Sequence, residues 1–229
     1  MRTAKASALA DARPSDLTAR ARIIDAAVTV FAHQGSAASV RAIAAAAGVS
    51  PALITHHFGT KEALKAECDE RVLDAYTDVK MAGIADPMGS MASLGDGDPV
   101  EAERLTMLSS YMLRAFLDGG TTAKQFYERL ADRIADIMQV AADHGMVRPE
   151  CVEPAHIQYL TSSILGFMLV QFVVDPPETA SGFFQKEMGQ PELFDAMIDV
   201  FTNPVFTDGQ ILAGYRATIN KKEKKEQNV

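Results

Sequence analysis

The sequence contains no tryptophan, only two cysteines and no apolar run long enough to cross a membrane. Its most apolar run, Ile164 to Val174, has eleven residues and is interrupted by Gln171, whereas a membrane-spanning helix needs about 20 apolar residues. We therefore expect a buried helix here and no membrane partner. Cys68 and Cys151 form no disulfide or metal-ligand pattern, which predicts reduced, buried thiols in a cytoplasmic protein.

Features of secreted proteins and of enzymes are scarce as well. The first 18 residues are charged and have no apolar core, so we expect no secretion signal. The sequence has no nucleophile elbow, phosphate-binding loop or metal-ligand set. The adjacent His56 and His57 do not share a helix face, and no third ligand stands at a fitting spacing. These observations predict no enzymatic activity, no cofactor and no metal site.

Alanine and methionine are abundant, and alternating β-branched residues are rare, which favours helix over strand. Periodic apolar residues, bounded by Gly, Pro and N-cap residues, predict a series of helices. The predicted helices are Thr18–Gln34, Ser39–Ala47, Ser50–Phe58, Thr60–Val79, Pro99–Asp118, Thr121–His144, Pro154–Val174, Pro191–Thr202 and Asp208–Ile219. The sequence thus predicts an all-α protein.

Charge is distributed unevenly along the chain. The net charge of −8 argues by itself against nucleic-acid binding. However, residues 1–65 carry 8 Lys and Arg against 4 Asp and Glu, whereas residues 66–229 carry 14 against 26. A basic head on an acidic body is expected when one end of a protein meets phosphate, although chance clustering gives the same pattern.

Residues 39–58 have the pattern of a helix-turn-helix motif. Gly48 supplies a tight turn between two short helices, Ala44 is small where the helices cross, and Val49 directs the turn into the core. In such a motif the early residues of the second helix reach base edges in the major groove of DNA. This pattern predicts a DNA-binding segment between Ser39 and Lys61.

Two runs of residues carry a resemblance to a known family. They are Arg22-Ile23-Ile24-Asp25-Ala26-Ala27-(x3)-Phe31-(x3)-Gly35, and Ile43-Ala44-(x3)-Gly48-Val49-Ser50 followed by His57-Phe58-(x2)-Lys61-(x2)-Leu64. Over about residues 18–66 the chain resembles the N-terminal domain of TetR-family transcriptional regulators. The resemblance implies a homodimer that binds a palindromic operator in double-stranded DNA and that a small-molecule effector releases.

Matched positions imply which residues contact DNA. They are Ser39, Arg41, Ser50, Pro51, Ala52, Thr55, His56, His57 and Lys61. Ser39 and Arg41, at the start of the first motif helix, are expected to contact phosphates. The early residues of the second motif helix, from Ser50 to Thr55, are expected to face the groove. His57 and Lys61 are expected to contact the DNA backbone. The family usually has Gly where this chain has Ala52, and Tyr where it has Thr55. The shorter Thr55 hydroxyl either loses the phosphate contact of that Tyr or passes it to His56.

The expected organisation has four parts. Residues 1–17 form a mobile arm, 18–66 the three-helix helix-turn-helix domain, 67–219 a larger helical domain for effector binding and dimerisation, and 220–229 a charged, disordered tail. The family pairs its last two long helices with those of a second copy. This implies an interface through Pro154–Val174 and Pro191–Thr202, with Asp208–Ile219 as a further candidate.

Two sets of residues in the larger domain are therefore candidates. For the dimer interface they are Ile157, Leu160, Ile164 and Met168. For a largely apolar effector pocket they are Met107, Tyr111, Phe116, Phe126, Tyr127, Leu130, Ile134, Phe167 and Gln171. The same apolar stripes also fit an ordinary helical core, and the Pro154–Val174 helix also fits the centre of a monomer.

Together, these features and the resemblance predict sequence-specific transcriptional regulation by a repressor that a small, largely apolar effector releases. The alternative is an effector-binding or protein-interaction module whose DNA binding is weakened, because Ala52 and Thr55 depart from the family pattern.

Overall fold

The computed structural model describes residues 14–89, 99–174, 191–203, 205 and 208–226. Within these ranges the chain forms helices and no strand, so the all-α prediction is confirmed for them. The helices are α1 (Pro14–Gln34), α2 (Val40–Ala47), α3 (Pro51–Phe58), α4 (Lys61–Ala85), α5 (Pro99–Leu117), α6 (Gly120–Asp143), α7 (Pro154–Val174), α8 (Pro191–Thr202) and α9 (Gln210–Glu226). Short 3₁₀ turns occupy Gly35–Ala37 and Pro149–Val152.

Three hydroxyl N-caps begin the helices of the motif region. The side chains of Ser39, Ser50 and Thr60 accept hydrogen bonds from the backbone N–H groups of Ala42, Leu53 and Ala63, at 3.1, 3.2 and 3.1 Å. Each bond satisfies a donor that the first helical turn leaves without an intrahelical partner. The sequence therefore sets where α2, α3 and α4 start.

The ends of several helices differ from the prediction. Helix α1 begins at Pro14, within the segment expected to be an arm, and residues 1–13 of that arm lie outside the described residues. Helix α4 continues past Val79 to Ala85, and α9 continues to Glu226, through most of the tail expected to be disordered. Charged Lys and Glu residues have good helix propensity, so polarity alone does not end a helix.

The apolar face of α1 places the helix-turn-helix against the rest of the chain. Ile23, Ala27 and Phe31 are almost completely buried, and α1 packs on α2, α4 and α5. Helices α5, α6 and α7, which we call the body, share one apolar core with the motif helices. The described residues up to Val174 belong to one compact unit and those from Pro191 onward to a second, and α4 runs through the domain boundary predicted at residue 66.

Within the described chain, helix α7 buries one face against the core, and the burial expected on its other side, through a second copy, stays a prediction. Ile157, Leu165 and Met168 lie in the core. The outer side exposes the large apolar side chains of Tyr159, Val170, Val173 and Val174, whereas Ile164, four residues before the buried Met168, is 38% exposed at the edge of the core side. By length and composition α7 could cross a membrane, but a single helix of this kind is weak evidence for a membrane protein.

Candidate DNA-binding site

The scaffold of the motif is formed as the sequence predicts. Gly48 ends α2 in the left-handed conformation, at φ +65° and ψ +37°, which residues with a side chain resist. The turn is closed by the N–H of Val49, which donates to the carbonyl of Ala44 at 3.0 Å. Ile43 and Ala44 of α2 and Phe58 of α3 are buried, so both helices are held against the core.

The motif surface presents most of the predicted contact residues to solvent. Exposed residues are Ser39, Arg41, Ser50, Pro51, Ala52, Thr55 and His56. Some of their polar groups also make bonds within the chain. The Ser39 and Ser50 hydroxyls already accept cap bonds, and the Thr55 hydroxyl donates to the carbonyl of Pro51 in its own helix at 3.3 Å. Among these exposed residues, Arg41 supplies a cationic side chain at the start of α2.

His57 is half-buried between its neighbours in α3. Its ring makes edge contacts with the rings of His56 and Phe58, with centroids 5.5 and 6.1 Å apart. Its Nε2 atom is buried and has no hydrogen-bond partner within the described part of the chain. A buried polar atom without a partner costs free energy that a new hydrogen bond recovers.

Lys61 begins α4 and turns towards its own chain. Its ammonium donates to the carbonyl of Ser36 at 2.7 Å and is 3.4 Å from the carbonyl of Ala38. Both carbonyls belong to the segment that joins α1 to α2. The ammonium therefore supports the segment that precedes the motif, a role that sequence reasoning did not assign to it.

Arg20 is a second support that sequence reasoning missed. Its guanidinium pairs with Glu67 of α4 and lies 5.1 Å from the centroid of the Phe58 ring. Partial burial lowers the pKa of this guanidinium from its ordinary value. The ion pair joins residues 47 positions apart, so no local sequence pattern could have revealed it.

A buried charged cluster lies where α4 meets the body. The Lys65 ammonium donates to Asp69 Oδ1 at 2.7 Å, and the Tyr111 hydroxyl donates to the same oxygen at 2.7 Å. Arg129 of α6 approaches Asp69 Oδ2 at 3.6 Å. The Lys65 ammonium also lies 4.7 Å from the Tyr111 ring centroid. Burial, and then the Asp69 charge, raise the pKa of the Tyr111 hydroxyl far above its ordinary value.

The structure does not gather the predicted effector-pocket residues around one described cavity. Tyr111, Phe126, Leu130 and Ile134 are packed in the core. Half-buried positions belong to Met107, Phe116, Tyr127, Phe167 and Gln171. Met107 lines a cleft of about 370 Å³ between α1, α4 and α5, and Tyr127 lines one of about 400 Å³ between α6 and α7. The effector pocket therefore stays a prediction.

The predicted interface residues do not share one exposed face. Ile157 and Met168 are buried within the chain, Leu160 is half-buried and Ile164 is 38% exposed. Because helical residues three or four apart share a face, the choice between core side and outer side of α7 could not be made from its nearly uniform apolar sequence. The outer side carries Tyr159, Val170 and Val173 instead.

Family models match two parts of the chain. Residues 23–68 match the model of bacterial regulatory proteins of the tetR family. Residues 103–207 match the model of the tetracyclin repressor-like C-terminal domain. The first match covers the helix-turn-helix and the start of α4, and the second extends through the body.

Individual relatives agree with the family models. The chain is 31% identical over 217 residues to the HTH-type transcriptional regulatory protein RaaS of Mycobacterium tuberculosis, covering 92% of this chain and 98% of that protein. Among solved structures, a TerR/AcrR-family transcriptional regulator from Aquifex aeolicus is 18% identical, with TM-score 0.47 and coverage of 77% and 99%. SmeT, the repressor of the Stenotrophomonas maltophilia multidrug efflux pump SmeDEF, is 22% identical, with TM-score 0.46 and coverage of 69% and 79%. The sequence matches carry the family assignment.

Proposed function

The chain belongs to the TetR family of bacterial transcriptional regulators, and from that premise we propose that it is a repressor that binds a palindromic operator as a homodimer and is released by a small, largely apolar effector. The family is one of regulators, and the comparisons give no support to the alternative of a module with weakened DNA binding. We expect the protein to act in the cytoplasm, where its DNA is.

One observation carries the DNA-binding proposal: a correctly capped helix-turn-helix presents its surface to solvent. Arg41 is exposed at the start of α2, where we expect a phosphate contact, and the exposed Pro51, Ala52 and Thr55 belong to the helix that enters the groove in this motif. The buried Nε2 of His57 lacks a partner, and we propose that the DNA backbone or a bridging water supplies one. Few side chains here form paired hydrogen bonds with a base, so direct readout per half-site is limited.

The dimer proposal rests on the outer face of α7. Several large apolar side chains on one side of a helix are seldom left in water unless a partner covers them. Helix α8, considered by itself, also exposes Ile198, Val200 and Phe201. A second copy is the occupant that the family resemblance implies, and two half-sites about 34 Å apart on DNA then match the two-fold symmetry of the protein.

Effector control requires the body to exist in two arrangements. Because Tyr111, Phe126 and Leu130 are packed together, an effector that binds between them must select an opened state of the core. Such a ligand shifts the equilibrium only as far as it prefers the state that does not bind DNA, and DNA opposes the ligand by the same factor.

The test measures binding to the DNA upstream of the protein's own coding sequence at several salt concentrations. We expect an affinity that falls steeply with log[salt], and a slope reduced by about one unit in the Arg41→Ala variant, which loses one phosphate contact. Arg148→Ala is the matched control, because Arg148 is an exposed arginine of the body, just before the Pro149–Val152 turn.

Three results would overturn the proposal. They are the absence of specific binding to this DNA, affinity that does not depend on salt, and equal effects of the Arg41 and Arg148 substitutions. The last result would mean that overall charge, and not the motif surface, governs binding.

A further inference from the structure

A backbone N–H in the segment between α1 and α2 is bonded to a carboxylate at the end of α5. The backbone N–H of Ser36 donates to both carboxylate oxygens of Asp118, at 3.1 Å each. Asp118 directly follows Leu117, the last residue of α5. The two residues are 82 positions apart, so this bond ties the body to the motif and is no local cap.

The same residue is held from the other side by α4. The carbonyl of Ser36 accepts the bond from the Lys61 ammonium at 2.7 Å. The 3₁₀ turn Gly35–Ala37 is thus fixed by an anion on its N–H side and a cation on its carbonyl side. It leads directly to Ser39, the N-cap of α2, so the position of the turn sets the position of the motif.

Gly35 makes the close approach of Asp118 possible. Its φ of +64° lies in the left-handed region, and a Cβ atom at this position would lie 2.9 Å from Asp118 Oδ1. A side chain here would therefore strain the backbone and press on the carboxylate. The absence of a side chain at Gly35 leaves room for the carboxylate beside the turn.

We propose that Asp118 is a positioning residue for DNA binding, which transmits the position of the α5 end to the helix-turn-helix through the Ser36 N–H. This inference rests on the proposed function and adds the point at which the body controls the motif. Movement of the α5 end lengthens or breaks the two bonds to Ser36, and the motif is then held by Lys61 alone on this side. Asp118 itself does not touch DNA in this scheme.

The experiment compares Asp118→Ala with Asp118→Asn and with a control, Asp86→Ala. Asp86 also accepts a bond from a backbone N–H, that of Gly89 at 2.9 Å, beyond the far end of α4. Each alanine variant removes one carboxylate that accepts from a backbone N–H, but Asp118 joins distant parts of the chain through two bonds, whereas Asp86 makes one bond to a residue three positions away. Hydrogen exchange of the Ser36 amide and of the α2 amides is measured on the free full-length proteins, and operator affinity is measured across a salt series.

Asp118→Ala should speed exchange at Ser36 and in α2 and weaken operator binding about tenfold, the scale of one net hydrogen bond to a charged group. Its salt slope should equal that of the wild-type protein, because no phosphate contact is lost. Asp118→Asn retains one oxygen acceptor, so its exchange rates and operator affinity should lie between those of the wild-type protein and Asp118→Ala. It also replaces the alanine variant if that variant fails to fold. Asp86→Ala should leave both measurements unchanged.

The proposal is overturned if Asp118→Ala, folded under the assay conditions, binds the operator within about twofold of wild type, since Asp118 would then only stabilise the fold. Equal effects of the Asp118 and Asp86 substitutions also overturn it. If the wild-type protein itself does not bind the upstream DNA, the proposed function fails. Hydrogen exchange then still decides whether Asp118 couples the body to α2, because that measurement needs no DNA.

Discussion

Lys61 occupies a position that implies a DNA contact, yet its ammonium binds within its own chain. The resemblance places it at a DNA phosphate, whereas the structure gives its ammonium the carbonyl of Ser36. An ammonium has three donors, so the two roles are compatible in geometry. They differ in their salt signature, because only a phosphate contact releases counterions from DNA.

We predict that Lys61→Met weakens operator binding while leaving the slope of log affinity against log[salt] as in the wild-type protein. The reason is that the ammonium already donates to the segment that precedes α2, so its loss displaces the motif. The measurement is the same salt series, with Arg41→Ala as the comparison that should lower the slope by about one unit. A Lys61→Met slope that falls by the same amount would assign the ammonium to phosphate.

Residues of the motif scaffold were predictable from the sequence, and the supporting contacts were not. Gly48, Ala44 and Phe58 act locally or at fixed helical spacing, so their types and positions specify their roles. Asp118 and Arg20 act through partners far away in the chain. Only the packing of α1 on α4 and α5 brings such pairs together, and one sequence does not contain that information.

At the scale of helices, a buried ion pair within α4 is contacted by two helices of the body. Asp69 is 2% exposed and Lys65 7%, and Asp69 accepts from Lys65 while Tyr111 of α5 and Arg129 of α6 reach the same carboxylate. Burying these charges is costly, and the pair is stable only because its partners are all present. The cluster therefore specifies one arrangement of three helices.

We predict that Asp69→Asn lowers the free energy of unfolding by about 3–5 kcal/mol, because it leaves the buried Lys65 charge without its counterion. Lys124→Met is the matched control, since it breaks an ion pair of the same i,i+4 spacing, to Glu128 at 3.7 Å, that is largely exposed. It should change stability by less than about 1 kcal/mol. Urea unfolding measures the free energy of unfolding of both variants. Equal losses would show that burial of the Lys65–Asp69 pair does not increase its contribution to stability.

Helix existence was predicted better than helix role. All nine predicted helices have counterparts among the described residues, and the hydroxyl caps at Ser39, Ser50 and Thr60 explain why the motif helices start where expected. Helix α7 is the exception in role. An evenly apolar sequence leaves its orientation open, and the packing against α6 decides which side becomes core.

At the scale of the whole molecule, the charge asymmetry of the chain is only partly available to DNA. Among the cations of residues 1–65, Arg20 and Lys65 are paired with carboxylates and Lys61 donates to backbone carbonyls. Arg2, Lys5 and Arg13 lie outside the described residues. A protomer with few free cations on its motif gains affinity by doubling its contacts, which makes dimerisation essential to the proposed function.

We predict that Val170→Asp makes the protein monomeric and removes specific operator binding while the protomer stays folded. Val170 is 56% exposed on the outer face of α7, so a carboxylate there stays largely solvated in the protomer but would be desolvated in a dimer. Sedimentation gives the mass and circular dichroism the fold. Met146→Asp is the control, since it places a new carboxylate at an apolar residue that is 48% exposed outside α7, and it should remain dimeric.

The complementary variant, Ile157→Ala, separates the two possible faces of α7. Ile157 is 5% exposed and lies in the core, so its truncation should cost about 2–5 kcal/mol of stability and leave the mass of the folded protein that of a dimer. If Ile157→Ala instead yields a stable monomer and Val170→Asp a normal dimer, then α7 contacts the second copy through the side that carries Ile157 and Met168, as the sequence predicted. In that case the core contacts of α7 described above would have to rearrange on dimerisation, since Ile157 cannot serve both surfaces at once.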